Sequence, residues 1–280
     1  MNHIALYHLP TSSPTTVTRI STIDQLPQKA QSLCPGSPLL DNRTFEIESF
    51  HVIPPSESKG VHLMAVALNG VRLYFSHGRT GARYGYQSAS TSTAPSYLSL
   101  IHVRLPPTTL PNPMEAAYPS VNPQTGLPNP PQTWTVAKLG AATYCNGLFL
   151  SAQNDEDTSV LLGCAPDIPK IAGFFENNMP AQGGYQPPAQ KVLQEFANLL
   201  LINGSVWAIA PNPVSKAFSG GLGWNETATQ ANSPPQSFLV LTNKGLHVVV
   251  KRRAVDTLVD LCDQFLKTRD DNPLGLFSST

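Results

Sequence analysis

Val61-His62-Leu63-Met64-Ala65-Val66-Ala67-Leu68-Asn69-Gly70-Val71-Arg72-Leu73-Tyr74-Phe75 sets two apolar runs around an Asn-Gly pair. Both residues of such a pair tolerate positive φ, so the stretch predicts a β-hairpin closed by a type I′ turn. The same kind of signal recurs on either side. Residues 45–53 alternate apolar and polar, the pattern of a half-buried strand. Residues 97–105 form another strand-like run, halted by Pro106-Pro107. Residues 4–9 and 16–20 read as a strand pair joined by proline-rich turn residues, and a short helix fits 23–33. Further strands are expected at 134–139, 148–152, 159–165 and 206–210, with Asn154-Asp155-Glu156-Asp157 as a polar hairpin loop. Residues 237–242 and 246–250 are expected to pair through Asn243-Lys244-Gly245.

The ending changes character. Val255, Leu258, Val259, Cys262, Phe265 and Leu266 recur at helical spacing. Asp256 sits where the helix dipole favours negative charge, and Lys267 and Arg269 sit toward the other end. The stretch is thus a strand pair handing over to an amphipathic helix whose apolar face needs a partner.

Composition supports a mainly β, loop-rich chain. Of its 280 residues only 13% are charged, against about 25% in ordinary domains. Its 27 prolines, incompatible with helix interiors and central strands, require many turns and long loops. Residues 77–96 are expected to be a mobile or disordered loop, and 106–131 to be extended or disordered. Formal net charge is +0, so no nucleic-acid footprint is expected. Four scattered cysteines, Cys34, Cys145, Cys164 and Cys262, lack metal-site spacing and read as reduced thiols. The start lacks the basic-then-apolar pattern of a signal peptide. No apolar run reaches the ~18 residues that span a bilayer.

The chain has no P-loop, GxSxG or HExxH motif, and no residue is assigned to catalysis, a cofactor or a metal. His51, His62, His102 and His247 sit in strand-like runs, and His77 in a loop unsuited to preorganised catalysis. Asp155-Glu156-Asp157 lacks the glycine and distal glutamate of a calcium loop. Trp134 and Trp207 read as core residues, whereas Trp224 lies in a glycine-rich loop and reads as exposed. Trp224, Lys251, Arg252 and Arg253 are therefore candidate partner contacts. Residues 190–202 fit one face of a helix, which makes Phe196, Leu199 and Leu200 candidate membrane contacts.

A resemblance adds to these readings. Gly70-Val71-Arg72-Leu73-Tyr74-Phe75-Ser76 resembles a signature of the large inner-ring scaffold nucleoporins, the non-repetitive, wheat-germ-agglutinin-negative family. Leu98-Ser99-Leu100-Ile101-His102-Val103-Arg104-Leu105-Pro106-Pro107 resembles that family's next block. Gly147-Leu148-Phe149-Leu150-Ser151-Ala152 with Leu161-Leu162-Gly163-Cys164 resembles the one after. Residues 235–242 through Lys251-Arg252-Arg253-Ala254-Val255-Asp256 resemble its exit, where the family usually has proline at the place of Ala254. The blocks run in family order across most of the chain. The family joins a seven-bladed β-propeller to an α-solenoid. The resemblance therefore implies later blades of an incomplete propeller over 1–252, then an amphipathic helix and tail over 253–280 leading toward a missing solenoid. It also implies a structural role in the inner ring of the nuclear pore at the nuclear envelope. Other nucleoporins would be the partners, with contact to the pore membrane and no small-molecule substrate. The rival classes are a propeller adaptor outside the pore, which would bind peptides or proteins, and a hydrolase or lyase on a β fold. The last predicts a pocket where acid, base or nucleophile converge.

Overall fold

The computed structural model describes residues 3–9, 16–41, 45–78, 97–117, 120–129, 132–155, 157–177, 193, 195–213 and 234–271. The chain divides into two compact units, Met1–Ile209 with Thr242–Gly245, and Ala210–Leu241 with Leu246–Thr280.

The first unit is built from antiparallel meanders. Strands β1 (Ile4–His8) and β2 (Thr18–Ile23) form a hairpin, and helix α1 (Leu26–Leu33) follows. Strands β3 (Ile47–Val52), β4 (Leu63–Ala67), β5 (Arg72–Gly78) and β6 (Tyr97–Arg104) form a four-stranded sheet in chain order. A short helix α2 (Pro113–Ala117) leads to a second such sheet, β7 (Ala141–Cys145), β8 (Leu148–Asn154), β9 (Thr158–Ala165) and β10 (Phe196–Asn203), with helix α3 (Ile168–Asn177) between its last two strands. A propeller blade is a four-stranded sheet of this kind, so the mainly β fold expected from the sequence forms, with sheets of the type that the family resemblance implies.

The unbroken apolar run at the hairpin has a packing cause. Met64, Val66 and Tyr74 face the second sheet and pack with Phe149, Val160 and Leu162. Ala65, Ala67, Leu73 and Phe75 face the other way, onto Leu26 and Ala30 of α1 and Leu40. Both faces of β4 and β5 are buried, so neither strand can alternate with polar residues.

The hairpin turn differs from expectation. Only Gly70 has positive φ, at 82°. Ala67 donates its N–H to the Val71 carbonyl and receives one from Gly70. The loop is therefore three residues, a type I turn followed by a left-handed glycine, not a type I′ pair. Contacts outside the hairpin decide this. Leu68 donates to the Glu46 carbonyl and accepts from Leu139, and the Asn69 amide donates to the Leu39 carbonyl. The type I′ geometry occurs instead at Asn146-Gly147, between β7 and β8, where both φ values are positive. A Cβ on Gly70 would stand 3.1 Å from both Val136 methyls and 3.2 Å from Pro106. Gly70→Ala is expected to cost ~1–3 kcal/mol through left-handed strain alone. A urea midpoint indistinguishable from wild type would contradict this account.

Three further expectations are corrected. Residues 134–139 form no strand, because their N–H groups go to separate partners: Trp134 to Leu110, Leu139 to Leu68, Ala137 to the Gln153 side chain. The segment 106–131, expected to be extended or disordered, carries α2 and two isolated β-bridges, Pro111 with Thr133 and Val121 with Pro128. Side chains supply the order that the prolines withhold: Asn112 accepts from the Met114 N–H and Glu115 from the Gln132 N–H. Of the loop expected over 77–96, His77 and Gly78 lie in β5, and 79–96 fall outside the described residues.

Strand β11 (Val206–Pro211) follows β10, and strands β12 (Ser237–Thr242) and β13 (Gly245–Val250) are neighbours in one sheet. In the second unit helix α4 (Ala254–Asp271) follows β13 as expected from residues 255–266. Its Leu258, Val259, Leu261, Phe265 and Leu266 are exposed.

Candidate functional site

The residue in β5 that alternation cannot accommodate is Arg72. It lies in an apolar strand, fully buried, on the face that meets the second sheet. A buried guanidinium requires a counter-ion and hydrogen bonds. Glu195, just before β10, supplies both: Arg72 Nη1 and Nη2 donate to its two carboxylate oxygens at 2.5 and 2.6 Å. This is the fork-to-fork geometry that favours arginine over lysine. Directly opposite Arg72 in the β5–β6 register stands Arg104. Like charges so placed repel. The same carboxylate resolves the conflict, because Arg104 Nε donates to Glu195 Oε2 at 3.2 Å. The Arg104 Nη1 group donates to the Leu193 carbonyl. Phe149 of β8 adds its ring face, with Arg72 Cζ 5.0 Å from the centroid. Two strands of one sheet are thereby tied to the segment entering β10 and to β8 of the other.

Around this clamp lie Tyr74, His102 and Cys164. Tyr74 and His102 are register partners on β5 and β6. Cys164 faces Phe149 across β8–β9. Burial pushes the Tyr74 hydroxyl up to about 12 and the Cys164 thiol up to about 11. Burial, then Arg104 and Arg72, pushes the His102 imidazole down to about 4. Burial works against the Glu195 charge, but the two guanidinium groups outweigh it and hold the carboxyl below its ordinary range. A cluster of perturbed titratable groups is the usual first sign of a catalytic site. Here the shifts run the wrong way. A general acid or base works best with a pKa near the ambient pH, whereas His102, Tyr74 and Cys164 are each held neutral. The adjoining recess, lined by Tyr74, His102, Arg104, Glu195, Asp167 and Ile171 among others, has a volume of about 10 Å³. That is room for a water and not for a substrate. Among the described residues no group of three or more His, Cys, Asp or Glu could hold a metal.

A second tie joins the sheets. The Tyr144 hydroxyl at the end of β7 donates to Glu57 in the β3–β4 connection, and Gly147 N–H donates to that hydroxyl at 3.2 Å. Burial raises the Glu57 carboxyl.

The residues singled out in the sequence fall elsewhere. The helix read over 190–202 is not present where the segment is described. Residues 196–203 are strand β10, paired with all eight residues of β9 from Ala165 to Thr158. Alternation then decides exposure. Phe196 is 88% exposed and Leu200 48%, whereas Leu199 packs on the core with Ala197 and Leu201. Leu199 is thus removed from the candidate contacts. Trp134 is core at 3% exposure, but Trp207 is not, at 63%. It occupies an outward position of β11, where a strand-like pattern cannot tell the two faces apart. Trp224 lies outside the described residues. Arg252 pairs with Asp260, and Arg253 pairs with Asp256 at 2.6 Å while donating its N–H to the same carboxylate. Hydrogen bonds from Arg253 hold the Asp256 carboxyl down to about 2. Both arginines of that basic run are thus paired with carboxylates of α4. No helix among the described residues is long and apolar enough to cross a membrane.

Sequence reading missed Glu195 and the clamp. Arg72 carried a signal, a charge within an unbroken apolar strand. Glu195 carried none, being 123 residues away from Arg72.

Comparison with known proteins adds identity to this geometry. The nucleoporin family described as Nup133 N terminal like matches residues 2–248. A probable nucleoporin of Schizosaccharomyces pombe, C890.06, is 33% identical over 252 residues, which is 82% of this chain and 18% of that protein. Nucleoporin NUP170 of Chaetomium thermophilum is 26% identical over 280 residues, 96% of this chain and again 18% of the relative. The chain therefore spans 18% of the length of either curated relative. Among solved structures, the Nup170 NTD of Chaetomium thermophilum, in a complex with Nup53, has a TM-score of 0.59 at 24% identity. It covers 91% of this chain, which covers 33% of it. That likeness is one of fold.

Proposed function

The chain belongs to the Nup133 N-terminal-like family of nucleoporins, and on that premise we propose that it is a non-catalytic scaffold segment of the nuclear pore inner ring, at the nuclear envelope. The observation that carries the reading is where the family-like blocks meet. Arg72 comes from the first block, His102 and Arg104 from the second, Phe149 and Cys164 from the third, and all gather at the clamp between the two sheets. Their chemistry is spent on holding sheets together. The groups are locked in neutral or ion-paired forms, and the recess beside them has no room for a substrate. This favours a scaffold over a hydrolase or lyase.

The domain reading follows the same premise: propeller-type blades over residues 1–252, then a helix and tail over 253–280. Other nucleoporins are the proposed partners. Because the similar Nup170 domain was solved with Nup53, a Nup53-type protein is the first to try. Phe196 and Leu200 of β10, together with Trp224, are the proposed contact residues, toward a partner or the pore membrane. Calorimetric titration of the folded chain with the Nup53 orthologue of its own source is expected to give saturable binding. A flat titration with a chain whose circular dichroism is native would sink the partner assignment.

A further inference from the structure

The polar atoms beside the clamp raise a separate question. Tyr74 and His102 line the recess at their β5–β6 register position, with ring centroids 5.8 Å apart. They are 0% and 1% exposed. Neither the Tyr74 hydroxyl nor either ring nitrogen of His102 has a hydrogen-bond partner among the described residues. A neutral imidazole always presents one donor and one acceptor, and a phenol can both donate and accept. Three such atoms left bare in a core would bear their full desolvation penalty. A small polar ligand that reaches two of the three removes most of that penalty.

We propose that the recess is a binding site for one ordered water molecule, which links the Tyr74 hydroxyl of β5 to a ring nitrogen of His102 on β6 beside the clamp. Size and chemistry select the ligand. The volume of about 10 Å³ matches the least space that holds one water, and a water needs two to four polar partners, which this wall offers. Cavities that stay dry are lined by apolar groups alone. A larger ligand does not fit. An anion would meet the carboxylates of Glu195 and Asp167 on the same walls, and a cation the guanidinium of Arg104. The water both donates and accepts, so it can pair with the His102 ring in either tautomer. The inference rests on the packing of the first unit and stands whether or not the chain works at the nuclear pore.

A crystal structure of the full chain that resolves ordered waters tests it. A water peak is expected within hydrogen-bonding distance, roughly 2.6–3.2 Å, of both Tyr74 Oη and a His102 nitrogen. In Tyr74→Phe the peak should weaken or vanish while His102 keeps its place. A direct bond between Tyr74 and His102, or bare side chains with no peak, would overturn the proposal. Should Tyr74→Phe not fold, the wild-type protein still decides in solution. Magnetisation transfer from water to the His102 ring proton is expected, and its loss in the folded chain would count against a bound water.

Discussion

Glu195→Ala is expected to lower the unfolding free energy by ~3–5 kcal/mol, read as a fall in the urea midpoint, because it leaves a buried charge uncompensated. The Arg72 side chain is 0% exposed and that of Glu195 6%. The guanidinium of Arg72 would be left buried without its counter-ion. Arg104 would then face Arg72 across the β5–β6 register with nothing between them, and their repulsion adds to the cost. Arg104 is 20% exposed and can relax outward; Arg72 cannot. The pair Arg72→Met with Glu195→Leu removes both buried charges and should recover most of the loss, since apolar replacements of buried ion pairs are often neutral or stabilising. The recovery separates a clamp from a merely tolerated ion pair. A single-variant loss below ~1 kcal/mol, the range of exposed pairs, would show that Arg72 is hydrated and that the clamp does not hold the sheets.

The fold was legible where a local rule and the tertiary environment agreed. Residues 61–75 announce a hairpin, and β4 and β5 form it, because an unbroken apolar run suits strands buried on both faces. The rule failed where outside contacts overrode it. Two Asn-Gly pairs occur, at 69–70 and 146–147, and the second takes the type I′ form that was expected of the first. Asn69 is drawn into a hydrogen bond with Leu39, thirty residues earlier, which no local pattern shows. Residues 190–202 failed through period. Phe196, Leu199 and Leu200 fit a helical face, yet Ala197, Leu199 and Leu201 fit a strand face equally well. The eight-residue partner offered by β9 decides between them. The clamp was half legible: Arg72 broke the apolar pattern, while Glu195 sat in an unremarkable polar setting and gained its meaning only from packing.

Acidification is expected to remove ~3 kcal/mol of stability through His102 alone as pH falls from about 6.5 to about 4. The imidazole has its ordinary pKa of 6.5 when unfolded and about 4 when folded. Between those values the unfolded chain binds more protons, so stability rises with pH across the window. It is fully present above the upper limit and lost on the way down. Burial, followed by the charges of Arg104 and Arg72, causes the depression, so the clamp that binds Glu195 also makes its neighbour acid-sensitive. Other groups bend the profile without reversing the argument. His51, lowered by burial, acts in the same sense. Glu195, held low by its arginines, adds its own loss at still lower pH. Glu57, raised by burial, works the other way, because the folded chain takes up its proton first. His102→Leu isolates the main contribution. Its urea midpoints should fall much less than those of wild type between pH 7 and pH 4.5. A wild-type slope retained in His102→Leu would assign the acid sensitivity to the carboxylates, and the buried neutral histidine would no longer explain it.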